Sequence, residues 1–175
     1  LHAPYTDKTL MRNFLTYDLM RQLNGTGAAM GVKFVEVFFN QDNTTVSESD
    51  YRGVYVLVEK IKRGGDRVDI EKIPDLSTDP ALITGGYLFR KDKPDPGVVT
   101  FDTSAGQQFQ FVEPEVPNTA QKNWLNAYVN NFEAALNGSN FANPTTGYAA
   151  YINPRSFIDN QWFVEITKQI DGYRI

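Results

Sequence analysis

Asp171 stands between a helical stretch, Pro154 to Gln169, and an extended-looking Tyr173-Arg174-Ile175. An acid at such a junction can take a proton from a substrate hydroxyl while metal ions hold a nucleotide's phosphates, and it can also lie beside that metal. On position alone, the plainer reading, a solvated acid near a helix end, is the one favoured. The chemistry therefore needs companions: a strand-borne cation for phosphate oxygens and an acid to orient it. Lys91 follows the strand-like Tyr87-Leu88-Phe89, and Lys60 closes the strand-like Tyr51 to Val58. Glu59, beside Lys60, is the acid that could orient a lysine. Arg90 and Lys91 project to opposite faces of an extended chain, so only one of them enters a cleft. Each companion has a plainer role as well. Lys91, Asp92 and Lys93 also read as the solvated flank of a turn, and Glu59, at the end of an apolar strand, also reads as a structural acid paired with an Arg or Lys.

Other chemistries lack their residues. His2 is the single histidine and there is no cysteine, which removes thiolate metal sites and leaves a His-based triad or zinc site with one terminal residue. Gln41 to Glu48 does not carry the spacing of a calcium loop. Twenty-one acids leave glycoside hydrolysis open, but nothing singles out a pair. Gly64-Gly65 and Gly85-Gly86 would admit phosphate close to backbone, but a lone Gly-Gly is usually a turn. A formal charge of -4 gives no broad cationic surface for nucleic acid, and no apolar run approaches a membrane span. Hydrophobic content of 41% with 13% aromatic residues specifies a packed globule. There is no signal-peptide pattern, and an opening Leu-His-Ala without Met reads as part of something longer.

The elements that must position these residues follow from periodicity and punctuation. Thr6 and Asp7 are helix-capping types, and Leu10, Met11, Phe14, Leu15, Leu19 and Leu23 recur at helical spacing up to Gly25 and Gly27. Val32–Phe39 and Tyr51–Val58 read as two strands paired antiparallel across a polar loop, the second buried on both faces by its apolar run. Gly85–Lys91 is expected to join their sheet. Val98–Thr103 and Gln107–Val112 read as a further hairpin. Beyond Pro117 the pattern turns helical. Asn118 or Thr119 caps a helix carrying Trp124, Leu125, Tyr128, Phe132 and Leu136, which Gly138 ends. Asn153-Pro154 starts another, with Phe157, Ile158, Trp162, Ile166 and Ile170 as its apolar stripe. Trp124, Tyr128, Phe132, Phe157 and Trp162 are expected in the core. The fold class is α+β, an antiparallel sheet with hairpins followed by helices. Residues 1–175 read as part of one domain: a β-rich part with a leading helix over 1–116, and a helical part over 117–175 that runs to Asp171.

Several stretches together resemble the CotH kinase family, the atypical protein-kinase-like domain named after spore coat protein H. Ala3 to Leu19 resembles the family's first helix. Phe34-Val35-Glu36-Val37-Phe38-Phe39-Asn40 with Tyr51-Arg52-Gly53-Val54-Tyr55-Val56-Leu57-Val58-Glu59-Lys60 resembles its strand pair, and the second of these is the most specific piece. Gly85 to Lys91 is similar to its next strand, and Ser156 to Ile166, on through Asp171-Gly172, resembles its helix leading to the catalytic acid. The resemblance implies phosphoryl transfer from ATP with Mg2+ to protein Ser/Thr. Asp171 would be the catalytic, metal-proximal acid, and Lys91, Lys60 and Glu59 would be the nucleotide-binding group. It also implies an extracellular or cell-surface setting, the spore coat in some relatives. The family's second acid, in a Trp-Asp segment, and an Asn five positions after Asp171 would fall beyond Ile175, so this stretch is expected not to catalyse alone. The other expectation is a non-catalytic interaction module of a secreted or cell-surface assembly on the same fold.

Overall fold

Asp7 sets the start of the first helix. Its carboxylate accepts hydrogen bonds from the Arg12 amide at 2.8 Å and from the Thr9 amide and hydroxyl at 3.1 and 2.7 Å. The helix α1 then runs Arg12–Gln22, two residues later than the apolar spacing suggests, because Leu10 takes a left-handed φ of 60°. The computed structural model describes residues 1–23, 29–169 and Gly172. It divides into two compact units, Leu1–Ile61 with Arg155–Ile170, and Lys62–Pro154 with Asp171–Ile175.

In the first unit, β1 (Val32–Phe38) and β2 (Tyr51–Val58) pair antiparallel from Val32↔Val58 to Phe38↔Tyr51, as their β-branched and aromatic content leads one to expect. The ladder shifts register between Val37 and Phe38, opposite Gly53, whose φ of 104° few side chains tolerate. At the far edge of β2, His2 and Val56 exchange backbone hydrogen bonds of 2.8 and 3.0 Å. The loop between the strands closes on Asp50, a buried carboxylate that accepts from the Ser47 amide at 2.9 Å. Phe14 of α1 stacks on Phe34 of β1, ring centroids 4.5 Å apart. Val56 is fully buried, but Tyr51, Val54 and Leu57 are 41%, 38% and 47% exposed, so β2 is not buried on both faces. Burying both faces of a strand takes a packed layer on each side of the sheet, and an apolar run does not by itself supply the second.

The helix α3 (Pro154–Thr167) forms where the Asn-Pro start places it. Its buried residue is Phe163, whereas Phe157, Ile158, Trp162 and Ile166 are all more than half exposed. The expected apolar stripe is therefore not core among the described residues, and the helix buries Phe163, which was not part of it. Ile170 lies outside them.

The second unit is built on a three-stranded antiparallel sheet of order β3-β5-β4, with β3 Leu88–Arg90, β4 Thr100–Asp102 and β5 Gln108–Glu113. The expected β4–β5 hairpin is present, with Phe101 opposite Phe109. The strand ending at Lys91 does not join β1 and β2; it pairs with β5, Phe89 opposite Phe111 and Arg90 opposite Gln110. Phe89 meets Phe109 of β5 edge to face, ring centroids 5.5 Å apart, an aromatic cross-strand contact that supports this pairing. Helix α2 (Thr119–Asn137) is capped by reciprocal bonds of 3.0 Å between Asn118 and Gln121. It lays Leu125 and Val129, one turn apart, on Phe101 and Phe111, with Tyr87, Val99, Phe109 and Trp124 around them. Gly86 holds a φ of 83°, and a Cβ there would stand 2.1 Å from the Glu71 carbonyl oxygen, so only glycine fits ahead of β3.

Candidate functional site

Two adjacent cations leave β3 in different company. The Arg90 guanidinium donates to Gln110 Oε1 at 3.1 and 3.3 Å and to Asp95 at 2.9 Å. Gln110 has no exposed surface, and its Nε2 donates to the Asp92 carbonyl at 2.6 Å. Arg90 is therefore committed to holding the β3–β5 pair and the following turn. Lys91 is half-buried, and its ammonium donates to Gln107 Oε1. That acceptor is a neutral amide. Among the described residues no carboxylate lies within ion-pair distance of Lys91, while Arg90 has Asp92 and Asp95. Strand alternation sends the two side chains apart, and the structure gives the structural role to Arg90.

Gln107 is itself held from α2. The Thr103 and Gln107 backbones close the β4–β5 turn, Thr103 N–H to Gln107 O at 2.8 Å and Gln107 N–H to Thr103 Oγ1 at 3.2 Å. The buried Thr103 hydroxyl donates to Glu133 Oε1 at 3.0 Å. The Ser104 amide donates to Asn130 Oδ1 at 2.7 Å, and Asn126 Nδ2 donates to the Asp102 carbonyl at 2.8 Å. Asn126, Asn130 and Glu133 stand at i, i+4 and i+7, one face of the helix. The sequence held this signal as three polar residues in register beside the apolar Leu125 and Val129. Helical periodicity directs attention to the apolar residues, which is why the polar row passes unnoticed.

Glu59 and Lys60 belong to the first unit. Glu59 and Gly31 extend the strand pair past its last ladder residues: Glu59 N–H donates to the Gly31 carbonyl at 2.9 Å, and Gly31 N–H donates to Glu59 Oε2 at 3.0 Å. A backbone amide accounts for part of what its carboxylate does. Lys60 is exposed beyond the end of β2. Asp171, the expected catalytic and metal-proximal acid, lies outside the described residues. Among the described residues no three acids, histidines or cysteines come together as a metal would require. Lys91, a cation held by a neutral partner, fits an anionic phosphate; for the metal the described residues offer no ligand set.

Two cavities among the described residues lie away from Lys91. In the second unit one of about 300 Å³ is lined by Lys72, Glu113, Glu115 and Gln121 among others, but not by Lys91. In the first unit one of about 520 Å³ opens between α1 and α3, with Leu15, Leu19 and Ile166 on its walls. No described helix is long and apolar enough to cross a membrane.

No curated protein and no solved structure matches this chain. A family model described as CotH kinase protein matches residues 1–174. With an antiparallel sheet on either side of the Gly85 region, helices after it, and a match over essentially the whole sequence, this α+β chain belongs to the CotH kinase family.

Proposed function

We propose that this domain serves ATP- and Mg2+-dependent phosphoryl transfer to Ser/Thr hydroxyls of a protein substrate, in a protein of the cell surface or exterior. The observation that supports it is the state of Lys91. Its ammonium is anchored by a neutral amide and pairs with no carboxylate among the described residues, which suits a group that must meet phosphate oxygens. In this reading Lys91 binds nucleotide phosphate, Glu59 and Lys60 are the charged groups at the end of β2 that assist, and Asp171 accepts the substrate hydroxyl's proton. What magnesium supplies in such a reaction is charge neutralisation on the triphosphate and its orientation. The protein's part is to hold the cation, place the hydroxyl and take its proton.

The test is phosphate transfer from labelled ATP by the full-length protein and its Asp171→Asn variant, each paired with a thermal unfolding curve. The expected result is a fall in turnover by about two to four orders of magnitude, the usual scale for losing a general base, with little change in melting temperature. Unchanged turnover in an active protein removes Asp171 from the mechanism.

A second reading, an interaction module without catalysis, draws on the exposed Phe157, Ile158, Trp162 and Ile166 of α3. It expects no ATP-dependent activity from the full-length protein and loss of an assembly partner on replacing Trp162.

A further inference from the structure

We propose that Gln107 is the positioning residue for Lys91, a neutral clamp that aims the ammonium while leaving its charge for an anionic phosphate. The proposal rests on the phosphate-binding reading of Lys91 and adds to it how the lysine is held. A lysine carries its charge on a flexible four-carbon stem, so a free side chain must be ordered when it meets its ligand, which weakens binding. Ordering it beforehand removes that cost. A carboxylate would order it too, but would cancel the charge that the phosphate needs. The Gln107 amide oxygen orders it without doing so. Two features make Gln107 more than a chance neighbour. Its backbone is fixed in the β4–β5 turn by Thr103, through the 2.8 and 3.2 Å bonds that close it. That turn is in turn fixed to α2 through Thr103 to Glu133 at 3.0 Å, Ser104 to Asn130 at 2.7 Å and Asn126 to Asp102 at 2.8 Å. The turn that carries the acceptor is thus tied to α2 through Asp102, Thr103 and Ser104. The contrast with Arg90, next in the chain and tied to two acids, shows what a purely structural cation at this edge looks like.

The experiment has two readouts on the full-length protein. One is the rate at which acetic anhydride acylates Lys91 relative to the other lysines, measured by peptide mass spectrometry. The other is the Kd for MgATP. Gln107→Leu keeps the bulk and removes the acceptor. Lys91 should then acylate several-fold faster, and the Kd should rise about fivefold, the scale of one hydrogen bond, with an unchanged melting temperature. Gln107→Glu restores the hold but cancels the charge, so acylation should return towards the slow rate while MgATP affinity falls further than in Gln107→Leu. A residue with only a structural role would instead lower the melting temperature in both variants and leave relative acylation alone. Equal Lys91 acylation in the parent and Gln107→Leu overturns the proposal. If Gln107→Leu frees Lys91 but Lys91→Met leaves the MgATP Kd unchanged, the clamp stands and the phosphate-binding reading beneath it falls.

Discussion

Tyr87 lies flat against Trp124, rings 9° from parallel and 5.4 Å apart, with its hydroxyl donating to the Ile83 carbonyl at 3.0 Å and the Gln121 carbonyl at 3.2 Å. One side chain so ties the approach to β3 to the first turn of α2. Burial pushes its phenol up to about 12. Because the folded value lies above the ordinary one near 10, the neutral phenol's contribution is complete below about pH 10 and is lost as pH rises towards 12. Tyr87→Phe should keep the stack and lose the hydroxyl's bonds, lowering stability by about 1 kcal/mol in urea unfolding at pH 7. The gap between parent and variant should close above pH 11. A gap that persists there would mean that the hydroxyl is not what the variant lost.

The start of α2 offers a separate measurement. Asn118 and Gln121 satisfy each other's backbone amides, and Asn118 Nδ2 also reaches the Ser77 carbonyl at 2.9 Å. Gln121 is only 3% exposed. Asn118→Ala should cost about 1–2 kcal/mol, the upper part of the range for a lost cap, because a tertiary bond goes with it. Asn118→Asp retains the capping oxygen but not the donor to Ser77, and should fall between parent and alanine variant. Equal stability of all three would remove the cap from the account.

Asp7 predicts a pH effect at the other end of the chain. Hydrogen bonds from the Thr9 hydroxyl and the Arg12 amide hold its carboxyl below the usual range. A depressed folded value means that its contribution is present above about pH 4 and disappears as pH falls through the folded value. Asp7→Ala should lower the melting temperature at pH 7, and the difference should shrink below pH 4. A difference that is constant from pH 7 to 3 would show that ionisation of Asp7 plays no part.

The elements were legible where local chemistry decides them. Asn118 before a polar-apolar helical repeat, Asn153-Pro154, and the β-branched run from Val32 each carry their own instructions, and each forms the expected element. What could not be read was partnership. Nothing local in Gly85–Lys91 says that Phe111 rather than Val35 lies beside Phe89, because antiparallel pairing is chosen by distant side chains. Apolar periodicity likewise fixes a stripe without fixing what covers it, so Trp162 was expected inside and stands 62% exposed. At the candidate site, Lys91 was legible as a strand-end cation. Its amide partner was not, since Gln107 lies on the far arm of a hairpin and glutamine carries no sequence signature.

Arg90 and Lys91 allow the last prediction, since neighbours of equal charge should fail in opposite assays. Arg90→Met leaves the buried Gln110 Oε1 without its donor and frees Asp95, so it should cost about 1–3 kcal/mol of stability, most of it from the unsatisfied amide. The exposed part of the pairing with Asp92 and Asp95 adds little, as surface ion pairs do. MgATP affinity of the folded fraction should hardly change. Lys91→Met loses a single bond to the half-buried Gln107, whose amide can turn to water, so unfolding should move little. MgATP affinity should fall at least tenfold, the scale of one charge-assisted contact to phosphate. The paired measurement is urea unfolding and MgATP titration on both variants of the full-length protein. If Arg90→Met is the variant that loses MgATP and Lys91→Met the one that unfolds, the phosphate-binding cation has been assigned to the wrong side of β3.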